Sequence, residues 1–418
     1  MRTEAAPALG GVEARALAET YGTPLLVIDT DVLDTALRRF AALRERFGIE
    51  VAYAGKALLF VALAERLKAT HLNLDVCSLG ELTTAERAHF PAARMVMHGC
   101  GKTEDELAAA AAGRVSRLVI DHDDELARLA ALANPSRPVD VLIRINSGIE
   151  AHTHAYVRTG GEGSKFGYAL ADAPAAIERV AAEPSLRLVG IHSHIGSNIF
   201  DPQPFEASLA ATFEVYARAA QRSKHVRELV VGGGFGVDAR PDGERIDLLE
   251  MAETLSLRLD DECKRAGLAR PSLGIEPGRA IIAEAGTTLY RVVTVKHHGR
   301  RRFAIVDGGL ADNPRPAMYG AYHHPIALGR SFAPEFEETT LCGRSCENDE
   351  LVVAPLPADL RAGDLLALTS TGAYTYSMAS NYNRFVKPAV VFAAGGAHRL
   401  VVRREALDDV LRNDVAGA

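Results

Sequence analysis

Four short runs of this sequence combine residue types that can do chemistry. Lys56 closes the apolar stretch VAYAGKA. An amine there is either a solvated strand end, its stem laid along apolar surface, or a desolvated nucleophile. The run VGGGFGV places Gly232, Gly233 and Gly234 in succession. Three glycines make a tight turn, or they let backbone N–H groups approach an anion closely. In EPGR, Glu276 precedes Gly278 and Arg279. Arg279 suits charge-assisted bonds to phosphate or carboxylate; Glu276 either pairs with it or is kept for a ligand. HSHIGSN has His192 and His194 at metal-like spacing, yet no carboxylate or cysteine accompanies them in a ligand pattern, so no metal is expected. His194 is read instead as a ring that stacks on a ligand, and Ser197 as a donor to its phosphate.

These residues need a scaffold that brings them together. Short β-rich runs alternate with Ala- and Leu-rich helical patterns from about residue 29 to 283. The strands are expected at 51–54, 72–76, 95–98, 117–121, 139–146, 188–194, 228–232 and 272–276. Helical spacing covers 123–133, 173–182, 204–222 and 248–265, among others. Eight such units over roughly 250 residues fit a (β/α)8 TIM-type barrel. A doubly wound sheet usually has fewer strands and a glycine fingerprint after the first. After Glu284 the texture turns to β-branched runs at 288–296, 302–306, 351–353, 365–368 and 390–392. That predicts a mainly β, barrel-like second domain of residues 284–418 together with 1–28, although the run 25–28 could join either unit. The cluster 297–302 (HHGRRR) reads as a solvated turn.

In a parallel barrel the site forms at the C-terminal strand ends. Lys56, Asp75, Ser78, Arg144, Asn146, His194, Ser197, Gly232–Gly234, Glu276, Gly278 and Arg279 all fall there. Barrels frequently bind phosphate between the loops after strands seven and eight, where the triglycine and EPGR lie. A desolvated lysine opposite a phosphate site is how pyridoxal 5'-phosphate (PLP) is held, and Glu276 beside the pyridine nitrogen would keep it protonated. Asp75 either positions the lysine or caps a helix; Arg144 either reaches the cofactor or bridges barrel residues.

Bulk properties narrow the classes. The 418 residues exceed one ordinary core. Lys+Arg 47 against Asp+Glu 54 gives a net charge of -7, which argues against a nucleic-acid surface or a polybasic membrane patch. No stretch approaches the roughly 20 apolar residues of a membrane span, and the N-terminus has no secretory h-region. Five cysteines form no disulfide framework, and Cys342 with Cys346 lacks a second ligand pair for zinc. A reducing, cytoplasmic compartment is expected.

Several segments are similar to a known family. YAGKA, LDVCSLGEL, RINSGIEAHTHAYVRTGGEGSKFG, GIHSHIGSNI, GGGFG, EPGRAIIAEAG, VDGGLADNPRPAMYGAYH, CEND and GAYTYSMASNYN follow in order over nearly the whole chain. The chain resembles the PLP-dependent decarboxylases of the alanine-racemase-like fold, among them the diaminopimelate decarboxylases. The resemblance implies decarboxylation of meso-2,6-diaminopimelate to L-lysine, the last step of lysine biosynthesis. It makes Lys56 the lysine that carries PLP and His194 the ring-stacking residue. Gly234, Glu276, Gly278 and Arg279 become cofactor ligands, with Ser197 and Tyr374 near the phosphate. Arg279, Arg315 and Tyr319 resemble the groups that hold the distal carboxylate, and Glu347 the partner of the distal amine. Cys346 resembles the acid that protonates the substrate carbon after CO2 leaves. In the family Cys346 and Glu347 come from a second subunit, which implies a homodimer with shared sites.

Two departures bear on substrate. The family's common CES-G-D reads Cys346-Glu347-Asn348-Asp349 here, and after Tyr382 only Pro388 stands where the family usually has two prolines. A same-fold decarboxylase of carboxynorspermidine, arginine, ornithine or a secondary-metabolite precursor is the first rival. A racemase needs a second base, usually tyrosine, opposite the lysine. A non-catalytic PLP-binding regulator would be expected to lose the acid or the substrate clamp. Cys346 and the Arg315/Tyr319 pair discriminate among these.

Overall fold

The computed structural model describes residues 9–149 and 164–415. They divide into two compact units. One holds Leu37–Val237 and Glu244–Ala280; the other holds the residues up to Ala36, Asp238–Gly243 and those from Ile281 onward.

The first strand, β1 (Leu25–Asp29), belongs to the second unit. The first unit is built on β2 (Ile49–Ala54), β3 (Asn73–Val76), β4 (Met95–Met97), β5 (Arg117–Ile120), β6 (Val139–Asn146), β8 (Leu186–Ser193), β9 (Glu228–Val230) and β10 (Ser272–Ile275). All pair in parallel, and β5 pairs with β6 to close the ring, so the expected eight-stranded TIM-type barrel is present. A two-residue β7 (Tyr168–Ala169) adds to β6. Val96, Val119, Leu142 and Val189, one from each of four strands, make a buried apolar cluster against which Val230 packs.

The helices between strands start where side chains can satisfy the first free N–H groups. Ser78 accepts from Glu81 N–H at 3.2 Å at the head of Leu79–Arg87, and Thr103 forms a reciprocal capping box with Glu106. Asp247 caps Leu248–Ala266, which ends on Gly267 in the left-handed conformation. Ser78 therefore takes the capping role left open for Asp75.

The second unit is mainly β. β11 (Gly286–His298), β12 (Arg301–Val306), β14 (Phe336–Cys342), β15 (Glu350–Pro357), β17 (Ala389–Ala394) and β18 (Ala397–Val402) form with β1 a sheet in the order β15-β14-β12-β11-β1-β17-β18. β13 (Pro325–Leu328) and β16 (Leu365–Leu368) join it through β11. The 25–28 run thus lies in this sheet, antiparallel to β11 and parallel to β17. Strands β13, β14 and β18 are additions to those expected from the sequence. The turn between β11 and β12 is exposed, but the 297–302 cluster runs on into β12. Arg302 is buried, and its guanidinium donates to Thr339 Oγ1 at 3.0 Å and to the Pro357 carbonyl at 3.0 Å. A five-donor fork can satisfy several carbonyls at once, which lets its charge turn inward.

Candidate active site

The strand ends of the barrel carry the first group of candidates. β2 runs into a short turn, Gly55–Ala57, from which Lys56 projects as an exposed residue. Its charge is felt by Asp75, Cys77, Glu81, His98 and His194, so these groups surround one amine. Burial pushes the Cys77 thiol up to about 12, which keeps it a neutral thiol beside the lysine.

Gly232 ends β9 early: its φ of +71° breaks the extended run two residues before the sequence suggested. The three glycines are sites of close approach. A Cβ on Gly232 would stand 2.5 Å from Nδ1 of His194, one on Gly233 1.9 Å from the Glu276 carbonyl oxygen, and one on Gly234 2.1 Å from the Gly196 carbonyl oxygen. Ile199 N–H donates to Gly234 O at 2.9 Å, and Gly236 N–H to Ile199 O at 2.8 Å, tying the loops after β8 and β9. Arg279 opens a short helix, Arg279–Ile282, behind the buried Gly278, and gives a hydrogen bond to Ser197 Oγ at 3.3 Å. His194, Ser197, Gly232–Gly234, Gly278 and Arg279 are therefore brought together.

β8 ends at Ser193, so strand alternation does not carry the orientation of His192 over to His194. Gly233 N–H donates to His194 Nδ1 at 3.2 Å, which places any hydrogen of the neutral ring on Nε2. Burial, then the charges of Lys56 and Arg144, hold His194 well below the usual histidine range. A neutral, fixed imidazole suits stacking. Arg144 is buried over the Phe166 ring, 4.4 Å from its centroid, and 3.9 Å from Asp121; it bridges barrel residues.

His192 instead turns to Glu276, with Nε2 3.0 Å from Oε2. His98 stands on the other side, its Nε2 3.4 Å from Glu276 Oε1 and 3.6 Å from Asp75 Oδ1. The carboxylate missing beside His192 in the sequence is thus Glu276, and the ligand atoms of His98, His192 and Glu276 lie within 4.8 Å of one another. His98 was assigned no role by sequence; its only signal was a histidine at the end of the third barrel strand. Burial raises Asp75 well above the usual carboxylate range, with nearby Glu276 adding to it. Burial acts the same way on Glu276, but the two imidazoles outweigh it and hold that carboxyl low. Of these two carboxyls, Glu276 is the ionised member, because it accepts the hydrogen bond from His192.

The second unit carries the remaining candidates in two groups. Arg315 begins a helix, Arg315–Tyr319, and is buried with its guanidinium 5.2 Å from the Tyr319 ring centroid and 5.7 Å from that of Tyr374. Tyr374 has a φ of +59°, an uncommon backbone state for a bulky residue that functional sites often hold. Cys346 is exposed, and its N–H donates to Asn383 Oδ1 at 3.1 Å. Glu347 accepts a hydrogen bond from the Tyr382 hydroxyl. Asp349, not singled out by sequence, is buried and anchors this loop: it accepts from Leu310 N–H at 2.7 Å and from Ser345 Oγ at 2.7 Å. Residues 150–163, which include the HTHAYVRTG segment, lie outside the described residues.

Comparison with known proteins follows the same lines. Residues 33–283 match the family model described as pyridoxal-dependent decarboxylase, pyridoxal binding domain. A diaminopimelate decarboxylase of Actinosynnema pretiosum subsp. auranticum is 43% identical over 97% of this chain and 92% of its own length. The diaminopimelate decarboxylase of Bacillus subtilis is 39% identical over 97% of this chain and 94% of its own. Among solved structures, Helicobacter pylori diaminopimelate decarboxylase complexed with L-lysine superposes with a TM-score of 0.87 at 30% identity, covering 95% of this chain and 98% of that one.

Proposed function

Because the chain belongs to the pyridoxal-dependent decarboxylases, we propose that it removes one carboxylate of meso-2,6-diaminopimelate to give L-lysine and CO2. The observation that supports this most is the gathering, at one barrel rim, of an exposed lysine amine, a largely buried ionised carboxylate and a glycine cradle flanked by Ser197 and Arg279. Those groups fit PLP: an amine for its aldehyde, an anion for its ring nitrogen and donors for its phosphate.

PLP, when bound, supplies the electron sink for the pair released as CO2 leaves. The protein does the rest. Lys56 Nζ is the amine that would hold the cofactor at its aldehyde. Glu276, with Asp75 in the same buried cluster, holds a proton at the ring nitrogen. The neutral His194 ring, fixed by Gly233 N–H, would stack on the cofactor. N–H groups of Gly232 and Gly234, together with Ser197, Gly278, Arg279 and Tyr374, would hold the phosphate end, while Gly233 N–H fixes the His194 ring beside it. Arg315 and Tyr319, joined by Arg279, take the distal carboxylate, and a planar guanidinium suits that group better than an ammonium. Glu347 takes the distal amine, and the Cys346 thiol delivers a proton to the substrate carbon.

Residues 29–283 act as the cofactor domain, and 1–28 with 284–418 complete the site. Cys346 and Glu347 serve the site of a second copy, so the working form is a homodimer. It acts in the cytoplasm; no helix among the described residues is long and apolar enough to cross a membrane.

The test is CO2 release and lysine formation from meso-diaminopimelate by purified protein with PLP, beside Lys56→Ala and Cys346→Ala. Turnover abolished in the first variant and sharply reduced in the second supports the reaction and both roles. A PLP-loaded protein that turns over arginine, ornithine or carboxynorspermidine but not diaminopimelate overturns the substrate.

A further inference from the structure

Glu276 has two imidazole neighbours that no step above uses. His192 is 1% exposed and His98 7%, and their rings meet edge to face with centroids 5.1 Å apart. We propose that His192 is a positioning residue, with the His98 ring packed edge to face against it: its N–H holds the Glu276 carboxylate fixed and charged, ready for the cofactor's ring nitrogen. The inference rests on the reading of PLP as cofactor but not on the identity of the substrate.

The geometry carries it. His192 Nε2 lies at hydrogen-bond distance from Glu276 Oε2, while its Nδ1 is buried with no hydrogen-bond partner among the described residues. A hydrogen on Nδ1 would be stranded, so the hydrogen sits on Nε2 and is donated to the carboxylate. His98 Nε2 stands between Glu276 and Asp75 and is hydrogen-bonded to neither, so this ring acts through its edge-to-face contact with His192. Burial, against the pull of Glu276, pushes His98 down to about 3, so this ring too is neutral.

Neutrality matters. An imidazolium would cancel the charge that the ring nitrogen needs, whereas a neutral N–H donor stabilises the anion and leaves its charge available. The other groups around the carboxyl pair are Lys56, Glu81, Arg117, His194, Cys77 and Arg144. Asp75 then keeps the proton that two neighbouring buried carboxyls must share. Partners that orient metal-ligating groups through one hydrogen bond typically cost roughly 10–100-fold in function when lost, and a loss of that order is expected here.

The test compares His192→Gln with His192→Asn in holoenzyme loaded with 15N-labelled PLP. A glutamine amide reaches the place of Nε2; an asparagine amide stops near Nδ1. The ring-nitrogen 15N shift reports its protonation directly, without turnover. The expected result is a protonated ring nitrogen in wild type and His192→Gln, and a signal moved toward the unprotonated value in His192→Asn, with PLP dissociation at least tenfold faster. His98→Asn, which removes the ring packed against His192, is expected to shift the signal in the same direction. Equal protonation in wild type and all three variants overturns the proposal. Equal loss in His192→Gln and His192→Asn overturns it as well, since it reports packing rather than a donor. Failure of the substrate assignment leaves the 15N signals unchanged.

Discussion

Gly233 and Glu276 are locked together across the ends of β9 and β10: a Cβ on Gly233 would meet the Glu276 carbonyl oxygen at 1.9 Å, and Glu276 N–H donates to Gly232 O at 2.8 Å. The glycine cradle and the ring-nitrogen carboxylate are therefore one rigid piece. Gly233→Ala forces backbone apart where no flexible side chain can yield. The expected cost is about 1–3 kcal/mol of stability and at least a tenfold loss of PLP affinity. A urea melt and a fluorescence titration of apoenzyme with PLP check it; unchanged PLP affinity would mean that the cradle and the carboxylate act independently.

The barrel was legible because strands buried on both faces read as nearly continuous apolar runs. LVI in β5 and VLIRI in β6 show it. Strand ends were less legible. β9 stops at Val230 and β8 at Ser193 because backbone conformation and loop contacts, not side-chain type, decide where pairing ceases. The roles of His98 and His192 were hidden for another reason. Each meets Glu276 only after the ring closes, and His192 is 84 positions away from it along the chain. Local spacing cannot show such a pairing. Asp349 was hidden in the same way, since its partner Leu310 lies 39 positions away.

Asp349 supports the Cys346 loop from below. Its carboxylate satisfies Leu310 N–H, Ser345 N–H and Ser345 Oγ, wedged against Gly309 and Gly343, where added Cβ atoms would stand 2.3 and 2.2 Å away. Asp349→Ala leaves buried donors unpaired, each worth about 1–3 kcal/mol. The expected outcome is a changed rate of Cys346 alkylation and a kcat lowered at least tenfold, with PLP absorbance as in wild type. An unchanged alkylation rate would show that the loop is held elsewhere.

Asp312 links stability to pH. Burial pushes its carboxyl up to about 7, against hydrogen bonds from the Tyr290 hydroxyl and Gly309 N–H. The folded state thus holds this proton more tightly than the unfolded chain does. The contribution is whole below the unfolded value of 3.8 and is lost as pH rises through about 7. Asp312→Asn removes the titration, so the variant should gain about 2–4 kcal/mol on the wild type between pH 4 and pH 8. Urea midpoints across that range measure it, and parallel curves for the two proteins would refute it.

Lys102 and Glu125 form an ion pair at 2.8 Å with side chains 1% and 0% exposed. Lys102 Nζ also donates to the carbonyls of Val119 at 2.6 Å and Gly99 at 2.8 Å, so the ammonium is fully engaged inside the barrel unit. One oxygen of Glu125, Oε2, has no hydrogen-bond partner among the described residues. Burial of this kind costs nearly as much as the attraction returns, so the pair gives little net stability. Breaking it is different, because the partner left behind is a buried, uncompensated charge. Lys102→Met is expected to destabilise by about 3–5 kcal/mol. Adding Glu125→Gln removes the stranded charge, so the double variant should recover most of that loss. A urea double-mutant cycle measures the coupling. If the double variant is as unstable as Lys102→Met alone, the lysine acts through its carbonyl contacts rather than through Glu125.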